Sequence, residues 1–146
     1  MKKTLLLVSI ICSTFIITSA QTNFSLKLYA GSNASWGNGQ FLSIDSKGNC
    51  KYNLSEMNNG IKDSLSFVIT KDQLNQLEEV TNKIQFFKLN PTYDAKMQDG
   101  TRLSIEISTS GKTKTVHWLN IHNNESDLFL DKLNTVLKNK GIIINY

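Results

Sequence analysis

The sequence predicts an α+β fold in which an antiparallel sheet of about six strands carries two helices on one face, in the order β-β-β-β-α-β-β-α. Three observations predict it. Apolar and polar residues alternate with period two in the short segments around Leu26, Leu42, Tyr52, Phe67, Ile105 and Val116. The spacing lengthens to a helical one after Thr70 and again after Asn124. Strands joined by tight turns cannot be parallel neighbours, and each helix has a single apolar face, so both helices fit one side of an antiparallel sheet.

Phe24 to Ala30 alternates strictly, with Phe24, Leu26, Leu28 and Ala30 on one face, and is the first strand. The connection Gly31 to Gly39 is rich in turn-tolerant residues and carries one large aromatic, Trp36. Gln40 to Ser46 and Cys50 to Ser55 form a hairpin around Lys47-Gly48-Asn49. Cys50, Tyr52 and Leu54 share a face there. Leu65, Phe67 and Ile69 mark a fourth strand after the turn at Asn58-Asn59-Gly60.

Thr70 and Gln73 have the spacing of a reciprocal helix cap, and Leu74, Leu77, Val80 and Ile84 form the stripe that follows. Pro91 forces an extended path at Asn90, and Tyr93 to Asp99 reads as a loop. Thr101 to Thr109 and Lys112 to Asn120 pair around Ser110-Gly111, with Arg102, Ser104, Glu106, Thr115 and His117 directed away from Leu103, Ile105, Val116 and Trp118. Asn124 is the expected cap of a second helix with Leu130, Leu133 and Leu137 inward and Gly141 as its stop. Ile142 to Ile144 is either a short terminal strand or a core plug.

Residues 1–20 have the three parts of a secretory signal: Lys2 and Lys3, an apolar run from Thr4 to Ile17, and the small-residue site Thr18-Ser19-Ala20. The run is short of the ~20 apolar residues that span a bilayer. The expected organisation is a signal peptide over 1–20 and one α+β domain over 21–146, in the periplasm or outside the cell, with no membrane span in the mature chain. Removing Lys2 and Lys3 leaves 14 basic residues against 12 acidic ones, too even and too scattered for nucleic acid. Only Cys50 survives cleavage, so no intrachain disulfide is expected and the lone thiol reads as a buried small hydrophobe. Asn-x-Ser sequons at Asn23, Asn33, Asn53 and Asn124 read as coincidence in a chain rich in both residues.

No catalytic residue and no cofactor are expected. His117 and His122 lack the spacing of a closed zinc site, so no metal is expected either. An antiparallel sheet can bring the strands of Cys50 and His117 together, so geometry does not forbid a nucleophile pair, but the absence of any family signature weakens it. Trp36, with Asn38 of the same connection and Tyr93 of the later loop, are the candidate binding residues, because an aromatic on an exposed connection is a common recognition element.

The stretch from Ser66 to Trp118, SFVITKDQLNQLEEVTNKIQFFKLNPTYDAKMQDGTRLSIEISTSGKTKTVHW, resembles uncharacterised exported bacterial domains built as strand, capped helix, Phe-x-x-Leu, Asp-Gly and hairpin. More loosely it is similar to emfourin, a small inhibitor of thermolysin-like metalloproteases. Those exported domains carry a Cys-x-x-Cys-Pro-like element before the first hairpin, which GSNASWGNGQ lacks, so no role of those cysteines carries over. The expectation is a non-enzymatic exported binding module with a protein partner, a protease or an envelope protein, and the resemblance adds protease inhibition to it. The alternatives are a small secreted hydrolase without a recognisable motif and a structural component of the cell envelope.

Overall fold

A computed structural model describes residues 23–32, 38–56, 59–97 and 100–146. The expected signal peptide, Trp36 and Asp99 lie outside the described residues. The strands are β1 (Ser25–Ser32), β2 (Gly39–Ile44), β3 (Asn49–Glu56), β4 (Gly60–Val68), β5 (Thr92–Asp94), β6 (Thr101–Thr109) and β7 (Lys112–Leu119). Helix α1 (Lys71–Lys83) follows β4, and α2 (Asn124–Leu137) follows β7. The seven strands form one sheet in the order β4-β3-β2-β1-β6-β7-β5, antiparallel except for the parallel pair β5–β7.

The alternation read from the sequence decides which face is covered. Leu26, Leu28, Ala30, Leu42, Ile44, Leu103, Ile105, Ile107, Val116 and Trp118 are all buried, and their neighbours in each strand are not. Both helices therefore pack on that face, where Leu74, Leu77, Phe129, Leu133 and Leu137 complete one core. Each such side chain removed from water stabilises the fold by about 1.5–3 kcal/mol.

The expected cap of α1 is present: Thr70 Oγ1 accepts from the Gln73 amide and Gln73 Oε1 accepts from the Thr70 amide. The turn Ser110-Gly111 has positive φ at both residues, 49° and 76°, the backbone that a tight two-residue hairpin requires.

Three expectations are corrected and one left open is resolved. The segment read as a loop after Pro91 contains β5. There the Pro91 carbonyl accepts from the His117 amide and the Leu119 carbonyl from the Ala95 amide, and three residues are too few to show a period. The cap of α2 is Asn123, one residue earlier than expected, because its Oδ1 also accepts from the Trp118 indole. Leu65 is exposed, on β4 at the sheet's edge, where only one side of the strand is paired. Of the two forms left open for Ile142 to Ile144, the plug is the one present. Ile142 and Ile144 are buried, and Asn134 bonds both the amide and the carbonyl of Ile144.

Candidate functional site

Among the described residues, the second face of the sheet has no helix over it. Cross-strand register lines up Asn53, Phe41, Tyr29, Ser104, His117 and Thr92 in a row running from β3 to β5. Phe41 is 43% exposed, high for a phenylalanine, and its ring centroid lies 4.8 Å from that of Tyr29 at a tilt of 50°. Tyr29 is pinned by its hydroxyl, which donates to the Ser32 carbonyl at 2.7 Å. Gly39 makes room for it: a Cβ there would come within 2.6 Å of Tyr29 Cε2.

Beside this pair stands a three-residue cluster on β6 and β7. Arg102 Nε donates to Ser104 Oγ at 2.7 Å. Nδ1 of His117 is 2.8 Å from Ser104 Oγ and 3.2 Å from Arg102 Nη2. A guanidinium only donates, so Nδ1 is an acceptor, the Ser104 hydroxyl donates to it, and the imidazole proton sits on Nε2. Partial burial and then the Arg102 charge both lower the His117 pKa from its ordinary value, so the ring is neutral at pH 7. Arg102 pairs with no carboxylate among the described residues.

That geometry holds a serine against a histidine but does not activate it. A general base needs a free, basic nitrogen, usually raised by a carboxylate on the other ring nitrogen. Here the nitrogen facing Ser104 also faces a guanidinium, which weakens it as a base.

Farther along the same face, Ser25, Lys27, Ser43, Asp45, Lys51 and Ser66 line an open groove of about 660 Å³. Lys27 is paired with Glu106 at 2.9 Å, and Asp45 closes the β2–β3 turn by accepting from Lys47 and Asn49.

The residues picked out by the sequence fall in several places. Asn38 is exposed, and its carbonyl accepts from the Ser32 amide at 3.0 Å, next to the β1–β6 pairs Gly31–Arg102 and Ser32–Thr101. Tyr93 is half-buried on the helix side, stacked on Trp118 with centroids 5.9 Å apart and planes 8° apart. Cys50 is buried on the helix side of β3, and burial pushes its thiol up to about 11. Four strand steps, about 19 Å, separate it from His117 on the opposite face. His122 stacks on Tyr146 and pairs with Asp127, away from His117. Among the described residues no group of three or more His, Cys, Asp or Glu side chains is gathered closely enough to hold a metal ion, and no helix is long and apolar enough to cross a membrane.

Residues 40–138 match the family described as Domain of unknown function (DUF6438). The chain belongs to the DUF6438 family. The match runs from β2 to the end of α2, so in this DUF6438 member it takes in Phe41, Arg102, Ser104 and His117 but not Tyr29. It supports the likeness to an uncharacterised family and lends nothing to the looser likeness to emfourin. No curated protein matches the chain.

Proposed function

We propose that the protein is an exported, non-enzymatic binding module that engages a protein partner through the uncovered face of its sheet. One observation carries this reading: an aromatic pair, the exposed Phe41 and the half-buried Tyr29, adjoins an arginine that has no carboxylate partner among the described residues. Apolar aromatics and arginine are the residue types that dominate binding energy at protein interfaces. The address rests on the signal-like residues 1–20. Recovery of partners from periplasm or culture medium, repeated with Phe41→Glu, tests it, and an unchanged set of partners would remove the face from consideration.

Protease inhibition is the narrower form of the same reading. A panel of thermolysin-like and serine proteases decides it, because no inhibition at micromolar protein leaves only general binding. The contact between Ser104 and His117 is the one observation on the side of a hydrolase. Turnover of p-nitrophenyl acetate that is lost in Ser104→Ala would establish that alternative against the weak-base argument above.

A further inference from the structure

We propose that Arg102, its plane held by Ser104 and His117, forms a receptor for a carboxylate attached to an apolar group, which lies on Tyr29 and Phe41. This rests on the reading of the open face as the binding surface and names the chemistry it selects.

Fifteen of the sixteen basic residues are lysine, and the single arginine stands in this cluster. Its planar fork is held at two points, Nε on Ser104 and Nη2 on His117, which fixes the plane of the guanidinium. The Nη1 amino group has no partner among the described residues. A fixed guanidinium edge is the geometry that takes a carboxylate through paired hydrogen bonds, which a lysine ammonium does not reproduce.

The same bonds decide what the imidazole offers. Because Nδ1 already accepts from its neighbours, the remaining nitrogen carries hydrogen and only donates. The imidazole therefore holds the guanidinium, whose free edge presents only donors, so the cluster suits an acceptor anion.

Charge sets which anion. Glu106 on the same face is tied to Lys27, and Asp94 accepts from the Lys96 amide within its own turn. Lys51 lies on β3, three strands from β6. Arg102 has no carboxylate partner among the described residues, and Asp94 on nearby β5 keeps its negative charge, so the site suits a monoanionic carboxylate better than a phosphate dianion. Tyr29 is one strand from Ser104, about 5 Å, and Phe41 is one strand farther. An apolar group on the carbon next to the carboxylate reaches that pair.

The test is titration of the ¹⁵N-labelled mature chain with N-acetyl-L-phenylalanine, which stands for a peptide C-terminus, and with N-acetyl-Phe-Asp-amide, which stands for an internal acid. N-acetyl-L-phenylalanine amide is the neutral control and inorganic phosphate the competing anion. Saturable shifts are expected at residues 29, 41, 102, 104 and 117 for one or both carboxylates, and their relative affinities identify the source. The neutral amide is expected to bind about tenfold more weakly or worse, the scale of a lost charged hydrogen bond. Arg102→Gln should abolish the response, while Arg102→Lys and Phe41→Ala should weaken it with a native spectrum retained.

An equal response to the amide, equal affinity for phosphate, or an unchanged response in a folded Arg102→Gln overturns the proposal. So does the absence of any saturable shift with either carboxylate. If Arg102→Gln fails to fold, the comparison of acid with amide on the unaltered protein decides. Loss of partner capture in Phe41→Glu without carboxylate binding would leave the binding face standing and remove this receptor alone.

Discussion

Asn123 joins the helix layer to the sheet through one oxygen, and replacing it separates two energies that are usually confounded. Its Oδ1 accepts from the Ser126 amide at 2.9 Å, capping α2, and from the indole nitrogen of Trp118 at 3.0 Å. Trp118 is completely buried in the core, so its donor has no water to turn to. Asn123→Ala removes the cap, worth about 1 kcal/mol, and strands the indole N–H, worth about 1–3 kcal/mol. The expected loss is about 2–4 kcal/mol in urea unfolding followed by far-UV circular dichroism. In a Trp118→Phe background the donor is gone, and Asn123→Ala should then cost only the cap, about 1 kcal/mol. A coupling energy of about 1–3 kcal/mol between the two sites is the signature. Asn123→Asp keeps the acceptor and adds negative charge at the helix N-terminus, so it should stay within about 0.5 kcal/mol of the parent. A coupling below about 0.5 kcal/mol would refute the shared acceptor, because the cap and the indole bond would then be independent.

Three further outcomes follow from the same geometry. His117 should titrate below its ordinary value of 6.5 when followed by NMR, and Arg102→Gln should raise it only part of the way, because burial is the larger cause. Since the unfolded chain binds that proton more readily, His117 lowers stability as pH falls through about 6.5 towards its folded value, and titration at or above 6.5 would contradict the network. Cys50, with its thiol near 11, should resist 5,5′-dithiobis(2-nitrobenzoate) at pH 8 in the folded protein and react promptly in urea. Gly39→Ala should push Tyr29 off Phe41, cost about 1–3 kcal/mol, and change the near-UV signal of the aromatic pair.

The helix-facing half of the molecule was legible in the sequence because its signals are local. Thr70 and Gln73 cap each other three residues apart, and Phe24 to Ala30 shows its buried face by alternation alone. Asn123 and Asn124 are equivalent as local caps, and only the distant indole of Trp118 separates them. The short β5 is held by backbone bonds to β7, which no pattern within Thr92–Asp94 records. Half of the candidate site was also within reach. A two-residue turn at Ser110-Gly111 pairs Thr109 with Lys112 and, five steps on, Ser104 with His117. The other half depends on β1 pairing with β6 across more than seventy residues, which places Tyr29 opposite Ser104 and has no local trace.

The core and the cluster share one cause. Strand β6 is paired on both sides, and its alternation buries Leu103, Ile105 and Ile107 completely. A slip of one residue would put Arg102, Ser104 and Glu106 into the core, so the burial that stabilises the strand also fixes the outward residues in place. The cluster thus obtains a rigid backbone from contacts in which its own side chains take no part. Substitutions at Phe41 and Arg102, which are not buried, should therefore shift stability by only about 0.5 kcal/mol while altering the binding proposed for this face. The proposed binding residues and the core are separable on this sheet because period-two alternation places them on opposite sides of the same strands.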